Sequence, residues 1–138
     1  MLLASAQAGA AVNSWTRTWV QGVTEYRVQG KDGAELLLTC SPESNVFVQY
    51  TAPGGRSISN MDGGSHDIQA RTDKGDTNSI DDTASDAGGQ AFEAFWVQLR
   101  HSQRISISSY GLPPATFTFK NAAQVLPAFD KSGCLTRQ

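Results

Sequence analysis

Apolar and polar side chains alternate through most of the first half of the chain, and that period of two predicts strands. Trp15, Arg17 and Trp19 interleave with Thr16 and Thr18; after a break at Gln21-Gly22, Thr24, Tyr26 and Val28 share a face. Gly30-Lys31-Asp32-Gly33 reads as a turn. Glu35 to Cys40 then reads as a buried strand, Ser41-Pro42-Glu43-Ser44 as a turn, and Val46 to Tyr50 as the returning partner. Beyond the Pro53-Gly54-Gly55 turn come a weak strand at Arg56 to Ser59, a turn at Asp62-Gly63-Gly64 and a further strand at Asp67 to Thr72.

From Asp73 to Gln90 the pattern is lost. This stretch holds Asp73, Asp76, Asp81, Asp82 and Asp86, three glycines and a single Ile, which predicts a long, mobile polar loop. At Ala91 to His101 the period changes: Phe92, Phe95, Trp96 and Leu99 fall at i, i+3, i+4 and i+7, one face of a helix whose start is marked by Gly88-Gly89. Arg104 to Tyr110 alternates again, and Gly111-Leu112-Pro113-Pro114 predicts a turn because proline cannot donate to a ladder. Ala115 to Phe119 reads as a strand. Asn121 suits a helix N-cap before Ala122 to Leu126, and Pro127 keeps that helix short or kinked. The expected fold is mainly β: one antiparallel β-sandwich-like domain with about seven or eight strands and two short helices.

The chain's 138 residues suit one domain with one core. With 39% hydrophobic and 17% charged residues it is not a self-repelling disordered chain. A net charge of −2 argues against nucleic acid as a partner. No apolar run reaches the ~20 residues of a membrane-spanning helix. Residues 1–13 are small and uncharged, and Ala6-Gln7-Ala8 has the small-x-small form of a signal-peptidase site, although a basic n-region and a full apolar core are missing. They read as a signal remnant or a disordered tail, leaving 14–138 as the domain.

Cys40 and Cys134 form no local metal or redox motif. In an exported chain they make one disulfide; otherwise they are two buried thiols behaving as small hydrophobes. His66 and His101 show no zinc-ligand spacing. His66 beside Asp67, with Asp62 nearby, could serve a hydrolase as base and orienter, but a hairpin turn explains these neighbours better. His101 ends the predicted helix, where a cation suits the dipole. No Gly-x-Ser-x-Gly, Ser-x-x-Lys or phosphate-cradling motif occurs. The acidic stretch resembles a calcium site in composition but lacks the EF-hand spacing. No catalytic residue, cofactor or metal is therefore expected.

What remains is recognition. Loops at one end of a rigid sandwich commonly carry it, and the candidate protein-binding residues are Asp62, His66, Tyr110 and Leu112. Tyr110 is the preferred anchor, against the competing view that it is the last core residue of its strand.

The order of features resembles small exported proteobacterial proteins of the invasion-associated locus B type and accessory periplasmic proteins of type VI secretion clusters. The resemblance rests on Trp15 or Trp19, Leu36 to Cys40, Asp62-Gly63, Phe92 to Leu99, Phe117-Thr118-Phe119, Asn121 to Phe129 and Cys134; Pro127 departs from the unbroken helix of that pattern. It implies a secreted or periplasmic β-sandwich-like module and carries over no functional residues. The expected function is a non-enzymatic binding module, an inhibitor, immunity or accessory protein whose partner is an envelope, secretion-system or toxin component. A structural subunit of an envelope complex is the alternative, and a hydrolase using His66 with a nearby Asp the second.

Overall fold

A computed structural model describes residues 12–62 and 68–137. Two antiparallel sheets face one another over a common core, as the alternating pattern predicts. The first sheet holds β1 (Thr16–Val20), β2 (Val23–Gln29), β3 (Glu35–Ser41), β4 (Ser44–Thr51) and β5 (Ser57–Ser59) in chain order. The second holds β6 (Ile68–Thr72), β7 (Thr77–Ile80), β8 (Arg104–Ser109) and β9 (Leu112–Thr118) in the order β7-β6-β8-β9. Helix α1 (Asp86–Arg100) joins β7 to β8, and the four-residue α2 (Ala122–Val125) follows β9.

Register explains the burial. Tyr26 pairs with Leu38, and Leu38 with Val48, so these three lie on one face, and all are fully buried. The opposing face of the second sheet brings Ala70, Ile105, Ile107 and Phe117 into the same cluster. Helix α1 lies along β7 and closes the remaining side with the predicted stripe of Phe92, Phe95, Trp96 and Leu99, all buried. Trp96 meets Tyr26 edge-on at 5.1 Å between centroids.

The stretch from Asp73 to Gln90 is not a structureless loop. Thr77–Ile80 pairs along β6, with Ile68 opposite Ile80, and only Ile80 of its four side chains is buried. The helix starts five residues before the expected Ala91: Ser85 caps it, its Oγ accepting the Gly88 amide at 2.9 Å. Gly88 and Gly89 lie inside the first turn because a Cβ on Gly88 would collide with the Asp82 carbonyl and one on Gly89 with the Arg137 side chain. The second correction concerns Pro113 and Pro114, which belong to β9. That strand is an edge, and an edge tolerates proline where no donor is needed.

Both ends of the described residues are pinned to the core. The described chain starts inside the expected tail: Val12 bridges Gln29, and the Asn13 amide donates to the Gln29 carbonyl at 2.9 Å. Asn121 precedes α2 as expected but makes no capping bond. Its Oδ1 accepts the Trp15 amide at 2.9 Å and its Nδ2 donates to the Trp15 carbonyl at 3.0 Å, clasping the start of β1. Trp15 is buried beside Phe119, whereas Trp19 is 64% exposed. Beyond α2, a 3₁₀ turn at Phe129–Lys131 leads to Cys134, which is disulfide-bonded to Cys40 of β3.

Two tyrosines link these layers through their hydroxyls. Tyr26 Oη donates to the Ser132 carbonyl at 2.7 Å and Tyr50 Oη to the Pro113 carbonyl at 2.6 Å. Burial pushes Tyr50 from 10.0 up to about 12, and it raises Tyr26 as well, against the opposing pull of the Arg17 guanidinium. The fold therefore holds both phenolic protons more tightly than the unfolded chain does. The contribution of Tyr50 to stability is complete below pH 10.0 and is lost as pH rises toward about 12; that of Tyr26 is likewise lost as pH rises through its raised value. Phenolate absorbance followed together with far-UV circular dichroism should show Tyr26 and Tyr50 ionising only as the sheets unfold. Ionisation of these two phenols with the fold intact would contradict this.

Candidate functional site

The β8–β9 hairpin reverses direction through Tyr110 and Gly111. Its register shifts between Ile107 and Ser109, so that Ser109 faces Leu112, and Gly111 takes φ +80°, a left-handed conformation that glycine adopts without strain. The turn is braced from the other sheet. Arg56, between β4 and β5, donates from Nη2 to the Gly111 carbonyl at 2.7 Å, and Tyr50 of β4 holds Pro113 as described. On this fixed backbone Tyr110 is 97% exposed. It is not the last core residue of its strand; Ser109 is the last buried one.

The other candidates separate. Leu112 is half-buried and packs against the core beneath the hairpin. Asp62 is exposed, and its Oδ2 accepts the Ser59 amide at 2.9 Å, which ties it to the turn after β5. That turn is further held by Asn60, whose Oδ1 accepts the Val48 amide at 2.8 Å. His66, and with it the proposed His–Asp pair, lies outside the described residues. His101 caps α1 with its Nδ1 2.9 Å from the Val97 carbonyl. Among the described residues no three His, Cys, Asp or Glu side chains come together as metal ligands. The aspartates of 73–86 are spread over turns and the start of α1, where Asp82 Oδ1 accepts the Ala84 amide at 2.9 Å.

The outer face of the second sheet carries a ladder of polar side chains. Gln69 and Arg71 of β6 pair with Ser108 and Ser106 of β8, and Ser106 and Arg104 pair with Thr116 and Thr118 of β9. At its edge a hollow of about 540 Å³ lies between Asp73, Gln103, Arg104, Lys120 and Asn121. Partial burial acts to raise the Asp73 carboxyl, but hydrogen bonds from the Gln103 amide and Ser102 outweigh it and hold the carboxyl below its ordinary range. The hollow offers the cations of Arg104 and Lys120 and the hydroxyls of Ser14 and Thr118.

The model of the YfjT family matches residues 13–126. The chain belongs to the YfjT family. No curated protein and no solved structure matches it. The span matched by the YfjT model begins at the Asn13 contact with β2 and ends at Leu126, so it contains both sheets, both helices and the braced hairpin. The segment carrying Cys134 lies beyond it.

Sequence reasoning did not find Arg56 or Tyr50, which make Tyr110 a rigid presentation. Arg56 sits 55 positions from Gly111 and Tyr50 63 positions from Pro113, and neither separation leaves a local signal.

Proposed function

We propose that this YfjT-family chain is a non-enzymatic binding module of the periplasm or the extracellular space, an inhibitor, immunity or accessory protein of a bacterial secretion or conjugation system. The observation that supports it is Tyr110. A tyrosine with almost its whole surface in water, on a turn of the second sheet braced from the first, loses little conformational freedom on binding and offers contact area with a polar tip. The disulfide supports export, because such bonds persist in oxidising compartments.

Capture from an envelope extract on immobilised wild type and on Tyr110→Ala, run side by side, is the test. A bound protein should be lost from the variant by about thirtyfold in affinity, the ~2 kcal/mol of an interface hot spot, at unchanged melting temperature. Equal retention by both would remove Tyr110 from the interface. A structural subunit of an envelope complex is the second reading, favoured by the exposed Trp19 and Val20 on the first strand.

A further inference from the structure

Of the four sheet edges, three are guarded among the described residues. β5 has only three residues, β7 lies under α1, and β9 carries Pro113 and Pro114 with its carbonyl at 113 taken by Tyr50. Among the described residues β1 has none of these devices. Its one charge, Arg17, lies over the Tyr26 ring at 5.7 Å from the centroid.

Which backbone groups β1 leaves open follows from its turn. Val20 faces Val23 across a two-residue loop, Gln21-Gly22, with φ +53° and +84°, the type I′ geometry of a tight hairpin. In such a hairpin the flanking residues exchange both hydrogen bonds, and bonded pairs then recur at every second residue. Val20, Thr18 and Thr16 therefore bond to β2. The N–H and C=O groups of Arg17 and Trp19 point away from the sheet. Beside them Trp19 and Val20 are each 64% exposed.

We infer that β1 is a self-association edge: two copies of the chain pair antiparallel through β1 about a two-fold axis at Thr18, joining two five-stranded sheets into one of ten. The sequence selects both the occupant and the register. Centred on Thr18, Arg17 of each copy faces Trp19 of the other, so the four open backbone groups of each strand meet their complements. The facing side chains are then a cation and an indole, an attractive pair. Centring on Arg17 would oppose two like charges. Centring on Trp19 would set Arg17 against Gln21 in the turn and lose bonds. The arrangement is isologous and closes at two copies. It uses a different surface from Tyr110 and does not depend on the proposed function.

Sedimentation equilibrium from micromolar to near-millimolar concentration, with amide exchange at Arg17 and Trp19, tests it. The expected result is a mass rising toward twice 14.8 kDa, with protection of those two amides rising in step. Trp19→Lys places like charges opposite each other twice and should weaken association by about tenfold or more. Adding Arg17→Glu to that variant makes both pairs attractive and should restore the dimer. A mass that stays at one copy across the range overturns the proposal, as does protection independent of concentration, which would mean that another part of the same chain covers the edge. Dimerisation unaffected by Trp19→Lys overturns the register and the edge together.

Discussion

Loss of the Cys40–Cys134 bond is expected to lower the stability of the folded chain by about 4–5 kcal/mol. The bond spans 94 positions, and a loop of that length removes denatured-state entropy worth about that much in the chain-entropy treatment. Small domains are stable by only about 5–15 kcal/mol, so the change is a large fraction of the total. Where the bond sits also matters. Cys40 is fully buried on β3, and the segment that carries Cys134 lies against the first sheet. Without the bond that segment is held by Tyr26 on the Ser132 carbonyl, by Phe129 against Trp96, and by the 2.7 Å bond from the Arg137 amide to the Thr83 carbonyl. Urea unfolding of the Cys40→Ala/Cys134→Ala variant, read by far-UV circular dichroism, should show a much lower midpoint with little change in the native spectrum. A loss under about 1 kcal/mol would mean that these contacts already organise the terminus before the chain folds.

The same contacts show which parts of the molecule were readable from residue order. Strands with a buried face announce themselves: in β2 every second residue is inside, and in β4 Val46, Val48 and Tyr50 are. β7 does not, because it turns only Ile80 inward and is held by its ladder to β6 rather than by apolar side chains. The early start of α1 was hidden for a related reason. Gly88-Gly89 looks like a helix breaker, whereas the Asp82 carbonyl and Arg137 crowd that turn so closely that no larger residue fits without movement. Pro113-Pro114 marks a turn in general and an edge strand here, and only the sheet order distinguishes the two. Trp15 and Trp19 have the same local pattern. Their fates divide because Trp15 meets Phe119 and the Asn121 clasp, while Trp19 extends from the outermost strand. The exposure of Tyr110 is likewise set by the bulge between Ile107 and Ser109 and by bonds to distant residues. Local pattern carries the core. Tertiary contact decides the clasps, the edges and the presented side chains.

Trp96 is where the core depends most on one side chain. It is fully buried on α1 and touches three other rings: Tyr26 at 5.1 Å, Phe129 at 5.9 Å and Phe92 at 6.2 Å between centroids. Its Nε1 donates to the Pro127 carbonyl at 2.8 Å, tying the helix to the C-terminal segment. Trp96→Ala should therefore destabilise the chain by about 3–5 kcal/mol through lost transfer free energy and the cavity left behind. The Pro127 carbonyl also loses its donor, which adds to the penalty where water does not replace it. Trp96→Phe separates the two effects: it keeps most of the ring contact, removes the hydrogen bond, and should fall between alanine and wild type. Val97→Ala is the control, since its side chain is 54% exposed on the same helix and should shift stability by no more than about 0.5 kcal/mol. Circular dichroism in urea is the suitable readout, because removing an indole alters the fluorescence baseline. If Trp96→Ala unfolds no more readily than Val97→Ala, α1 is not the element that closes the core, and the sheets must be stable as a pair without it.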